Sequence, residues 1–252
     1  EAYGISDDEQ VEARDIARAI RKAKDDDRIK GMVLDLSKLY IPSSSASKLH
    51  EIAAEIDNFR SAGKKVVAVG DYYGQEQYLL AAHADEVLLH DYGNVVLYGY
   101  GSYGAYLKSF FEKLKVTTHV FRVGTFKSAV EPFLRDDMSP EAKQANLAFL
   151  TVLWDEYARS AEKARGLSDG AIKNYANDLP RLLAAAGGDF AKAAKDYGLV
   201  DELIGRSAQR ARLVAEFGED KDGESYKNVG FRHYLAAIGE DADGSDPNVA
   251  VI

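Results

Sequence analysis

Short runs suited to buried strands, Gly31 to Leu36, Val66 to Val69 and Glu86 to His90, alternate with segments whose apolar residues recur at helical spacing. A near-continuous apolar run of this length fits a strand covered on both faces rather than one with a wet side. Strands covered on both faces need helices above and below them. Connections long enough to hold those helices usually make neighbouring strands parallel, with right-handed crossovers. The alternation therefore predicts an α/β domain with a mainly parallel sheet.

The flanking segments supply the helices. Ala13, Ile16, Ala17 and Ile20 form one stripe, stopped at Asp25-Asp26-Asp27. Leu49, Ile52, Ile56 and Phe59 form another, with Gly63 placed to end it. Gln75 to Ala82 reads as a short helix, and Tyr106, Phe110 and Leu114 mark one that ends near Lys115. Val116 to Val123 is rich in β-branched residues and predicts a strand. Ser139-Pro140 is a strong helix start, with a capping hydroxyl and proline at the first helical position. The stripe Leu147, Leu150, Trp154, Tyr157 and Ala161 comes next. Beyond Gly166 the pattern weakens, though helices are expected over Phe190 to Tyr197 and about Ala208 to Phe217. Residues 240–247 read as a linker and Asn248 to Ile252 as the start of a strand. The division expected is one domain over 1–240, then a linker and the opening of another over 241–252.

Bulk properties remove several classes of function. The net charge of −9 speaks against broad contact with nucleic acid or anionic lipid. With no cysteine there is no disulfide, thiolate nucleophile or cysteine zinc site. No apolar run approaches the roughly 20 residues that span a bilayer. The chain opens on Glu1 rather than methionine, which raises the expectation of an upstream segment.

Four features could carry chemistry. His50, His83, His90, His119 and His233 fall at no metal-ligand spacing, so no metal site is expected. Gly99, Gly101 and Gly104 spell a dinucleotide-loop pattern, but tyrosines crowd it and no acidic residue follows about 20 positions on. It reads better as a turn needing glycine backbone angles. Asp25-Asp26-Asp27 and Asp136-Asp137 suit solvated turns and helix ends. The fourth is Lys127, which stands among small and apolar residues after Gly124, with Glu131-Pro132-Phe133 predicted to force an extended exit. A lysine ammonium taken out of water gives up its proton more readily, and the neutral amine can then activate a hydroxyl nucleophile. From the residues alone, a solvated loop lysine is the plainer alternative.

Residues 121–138, FRVGTFKSAVEPFLRDDM, resemble the lysine segment of the long-form signal peptide peptidase A family. Residues 20–37, 66–90 and 106–120 are similar to the same family, and the resemblance covers roughly residues 10 to 220. It implies a crotonase and Clp-protease type of fold, a spiral of ββα units. Long-form members carry two such domains, with the catalytic lysine in the first and the nucleophilic serine in the second. The resemblance implies an enzyme of the bacterial inner membrane facing the periplasm, a tetramer that degrades released signal peptides and needs no cofactor. Carried over residue by residue, the general base is Lys127. The position matching the nucleophile holds Gln75, after Gly74, and a carboxamide cannot perform acyl transfer. This chain is then expected to supply the base and lack the serine, with Asn248 to Ile252 opening the serine-bearing domain and a first strand missing ahead of residue 10.

Three other readings stand beside that one: a scaffold domain of the same fold without catalysis, an acyl-CoA enzyme of the crotonase superfamily, and a self-contained protease using Ser128 or Ser102. Ser128 adjoins Lys127, and neighbours on an extended chain point opposite ways, which disfavours the last. A stretch from Val95 to Tyr106, rich in tyrosine, is expected to help line a groove for apolar peptide side chains.

Overall fold

The structure is a computed structural model that describes residues 11–37, 39–40, 46–121, 123–124 and 127–239. These fall into two compact units, one formed by the described residues up to 96 together with those from 178 on, and the other by those within 97–177.

The first unit holds the predicted parallel sheet. Its strands are β1 (Gly31–Asp35), β2 (Lys65–Tyr73), β3 (Glu86–Val95) and β4 (Glu202–Leu203), in the order β1-β2-β3-β4 and parallel at every pairing. Met32 pairs with Val66, Val67 with Glu86, and Leu88 with Glu202. Helix α1 (Ala13–Asp25) precedes β1, α2 (Ala46–Ser61) joins β1 to β2, and α3 (Gln75–Ala82) joins β2 to β3. Both α2 and α3 lie against β2, and α1 packs on α2.

Sequence patterning explains this assembly. Leu49, Ile52, Ala53, Ile56 and Phe59 share one face of α2, and each is buried. Val66, Val67 and Ala68 are all buried although successive strand residues point to opposite faces. On one of those faces Val67 and Leu88 meet Leu213, with Val33, Val69 and Phe217 around them. Carboxylates fix the strand starts. Asp85 accepts from the Val66 amide at 2.8 Å and Asp201 from the Val87 amide at 2.7 Å. At the core, the Tyr73 hydroxyl donates to the Leu88 carbonyl at 2.9 Å.

The second unit is helical. It holds α4 (Lys108–Lys113), a 3₁₀ turn (Ser128–Val130), α5 (Glu131–Leu134), α6 (Pro140–Arg165) and the first part of α7 (Ala171–Ala185). Ser139 caps α6 as the sequence predicts, its Oγ accepting from the Ala142 amide at 3.1 Å, and Gly166 closes the helix at φ 64°. The first unit resumes through α8 (Phe190–Asp196), then β4, α9 (Arg206–Phe217) and α10 (Phe231–Ile238). Helix α8 packs on β3 and α10 on α1.

The strand predicted over Val116 to Val123 does not form. Its described residues carry no regular structure, with Val116 half exposed and Phe121 and Val123 almost fully so. Strand preference reflects how a side chain fits a pleated, half-buried surface, and the described side chains here are exposed instead. The linker and strand expected over 240–252 lie outside the described residues.

Candidate functional site

Lys127 stands at the cap of the 3₁₀ turn, with φ −94° and ψ 69°, and is exposed. Gly124, three residues earlier, has φ +105°, a conformation that side chains other than hydrogen resist. Ser128 and Ala129 are exposed as well, so the lysine sits on a solvent-facing turn.

The segment downstream of Lys127 is held firmly. The 3₁₀ turn runs directly into α5, whose first residue, Glu131, is only 2% exposed. Its carboxylate accepts from the Ser139 amide at 3.0 Å and from the Ser139 hydroxyl at 2.5 Å. The Pro132 carbonyl accepts from the Leu107 amide at 2.7 Å. Asp136 accepts from both the amide and the hydroxyl of Ser109, at 2.8 and 2.7 Å, and these bonds hold its carboxyl below the usual carboxylate range. Asp137 pairs with Arg135 at 2.8 Å, which lowers its carboxyl in the same way. Asp136 and Asp137 thus act in turns, as their sequence context suggests.

The extended exit expected at Glu131-Pro132-Phe133 is a helical turn instead. Glu131 has φ −58° and ψ −35°, although the residue before a proline is ordinarily kept out of that region. Two hydrogen bonds to a buried carboxylate offset the preference. Pro132 lies early in α5, where a missing amide removes no helical bond. The role of Glu131 is not visible in the sequence, where the one available signal is an acid set between Ala129-Val130 and Pro132-Phe133.

Gln75 lies in the other unit, at the start of α3, and is fully buried. Gly74 caps the helix, its amide donating to the Gln77 carboxamide oxygen at 2.9 Å, while the Gln77 amide group donates to the Leu36 carbonyl at 2.8 Å. A helix start of this kind presents backbone amides, and a carboxamide such as that of Gln75 cannot attack a carbonyl.

The glycine pattern at residues 99–104 has no phosphate-loop geometry. The next helix, α4, begins only at Lys108 and is six residues long. Gly99, at φ +76°, supports a turn over which Trp154 packs. Of the tyrosines there, Tyr98 and Tyr103 are exposed, and Tyr100 meets Trp154 edge-on at 6.3 Å. Among the histidines, His83 contacts Asp57 at 2.9 Å and His90 accepts from the Tyr92 amide. An open cavity of about 660 Å³ is lined by Asp71, His90 and residues 205–208. The Asp71–Arg206 ion pair lies along it, and the guanidinium holds the Asp71 carboxyl below its usual range.

A parallel sheet with helical connections between its strands makes this an α/β protein. The chain belongs to peptidase family S49, whose model matches residues 58–218, a span that includes both Gln75 and Lys127. Protease 4 of Salmonella typhi is 39% identical over 252 residues, covering 99% of this chain and 40% of that protein. Protease 4 of Haemophilus influenzae is 38% identical over 229 residues, 91% of this chain and 37% of that protein. The chloroplastic serine protease SPPA of Arabidopsis thaliana is 26% identical over 217 residues, 84% of this chain and 30% of that protein. The chain thus spans at most about 40% of the length of these curated relatives. Among solved structures, an enoyl-CoA hydratase/isomerase family protein from Silicibacter pomeroyi aligns at 16% identity over 73% of this chain and 84% of that one, with a TM-score of 0.27.

Proposed function

We propose that this chain supplies the general base, Lys127, to a Ser–Lys endopeptidase whose serine lies on a further domain. The reading is supported by S49 membership together with the resemblance that matches Gln75, at the start of α3, to the family's nucleophile: a serine protease needs a hydroxyl there, and a carboxamide does not provide one. In the complete enzyme the serine-bearing domain covers the exposed turn. The Lys127 amine, out of water, takes the proton from the serine Oγ as that oxygen bonds to the scissile carbonyl carbon. Backbone amides hold the oxyanion. The lysine then passes the proton to the departing amine, and water releases the acyl group by the same route.

The substrates are released signal peptides and similar apolar peptides, met at the periplasmic face of the bacterial inner membrane. None of the described helices is long and apolar enough to cross a bilayer, and membrane attachment is assigned to other parts of the longer protein. Exposed apolar side chains in the second unit, among them Phe110, Leu147, Phe149 and Val152, support assembly into a homo-oligomer through surfaces that a lone chain leaves wet, and the family resemblance implies a tetramer.

Assay of the purified 252-residue chain tests the division of labour. It should hydrolyse no peptide, since it holds a base and no nucleophile. Steady hydrolysis abolished by Ser128→Ala would overturn the split site.

A further inference from the structure

The Lys127 turn would be a poor base if it were free to wander, because proton transfer needs the amine within hydrogen-bonding reach of its partner. Lys127, Ser128 and Ala129 are all exposed and contribute little packing of their own. Their anchor lies one helical turn downstream. The Glu131 amide donates to the Ser128 carbonyl, and the Arg135 amide donates to the Glu131 carbonyl, so backbone bonds on both sides meet at Glu131. Its buried carboxylate then reaches across to Ser139, which it grips through both amide and hydroxyl.

Ser139 is no ordinary surface serine. Its hydroxyl oxygen accepts from the Ala142 amide while its proton goes to Glu131, so α6, a helix of 26 residues, is capped by the same group that holds the carboxylate. The amino-terminal end of a helix favours negative charge, and an acidic side chain is rarely buried this deeply without a partner of that kind. The Glu131 conformation is also one that the following proline ring disfavours, so the carboxylate's bonds are needed to keep it.

We propose that Glu131 is a positioning residue for the Lys127 base, transmitting the rigidity of α6 through Ser139 to the lysine turn. This rests on the reading of Lys127 as the base. Removing the carboxylate leaves the lysine attached but frees its turn from the position over which the serine-bearing domain closes in the complete enzyme, and an amine less fully covered holds its proton more firmly.

The test uses the full-length protein carrying Glu131→Ala, Glu131→Gln or Lys127→Ala, with kcat and KM for a peptide substrate followed across pH and thermal unfolding measured alongside. Glu131→Ala is expected to lower kcat by about tenfold or more, as small misplacements of catalytic groups do, with little change in KM. The acid limb of its kcat profile moves to higher pH. Glu131→Gln keeps an acceptor for the Ser139 amide and loses the one for its hydroxyl, so its acid limb moves the same way by less. Should the alanine variant fail to fold, the glutamine variant carries the comparison alone. An acid limb unmoved in the folded variants, or a loss of activity matched by the fraction unfolded, overturns the proposal. If Lys127→Ala keeps full activity, the base assignment itself falls and Glu131 has nothing to position. If Lys127→Ala is dead and the limb stays put, only the positioning role is lost.

Discussion

At the scale of single residues, buried hydroxyls and shared carboxylates hold the architecture. Tyr73 is fully buried and donates to Leu88 across the sheet, and burial drives its phenol well above the ordinary value, so the ring stays neutral. Tyr73→Phe should cost about 1 kcal/mol, the worth of one buried hydrogen bond, in denaturant unfolding. Loss of no stability would mean that Leu88 is satisfied without it. Asp136 gives a pH-dependent case. Its bonds to Ser109 lower its carboxyl from the usual 3.8. A depressed acid stabilises the fold above its unfolded value, and that contribution fades as pH falls through the folded value. Asp136→Asn should therefore unfold at a lower temperature than the parent near neutrality, with the gap steady down to about pH 4 and closing in stronger acid. A gap that widens in acid would contradict the assignment.

At the scale of elements, some features were legible and others were not. Strands β2 and β3 could be read because burial on both faces leaves an apolar run, β1 because its half-buried residues are apolar all the same, and α2 because Leu49, Ile52, Ile56 and Phe59 repeat at helical spacing. Ile56 is fully buried, and Ile56→Ala should destabilise the first unit by about 2–5 kcal/mol in chemical denaturation. Helix α7 escaped prediction for two physical reasons. Pro180 lies inside it and reads as a breaker, and one of its first amides, that of Ile172, is satisfied by Glu162 from α6 at 2.9 Å rather than by a local cap. Helix α10 follows Gly230, which offers no side chain to cap it, so nothing local announces it. The Val116–Val123 stretch misled because β-branched residues signal a strand only where a sheet receives them. Of the proposed site, Lys127 stood out as a single lysine among small and apolar residues. Glu131 did not, since its bond to Ser139 spans eight residues that no periodicity links. Ser139→Ala removes a cap and orphans part of that carboxylate together, and should cost about 2 kcal/mol or more.

At the scale of the whole molecule, catalysis is divided in our proposal between chemically incomplete parts. The chain contributes a lysine on an anchored turn and a helix start occupied by Gln75, and the missing reactivity must come from elsewhere in the protein or its assembly. If exposed apolar surface is covered by further copies, light scattering at tens of micromolar should report an oligomer rather than a stable monomer. The central claim is that Lys127 is the base, and peptidase activity of the full-length protein with Lys127 replaced tests it most directly. Lys127→Ala should abolish turnover while substrate binding persists. Lys127→Arg should restore little, because a guanidinium keeps its charge and cannot accept the serine proton. Full turnover by Lys127→Ala would remove this residue from the mechanism.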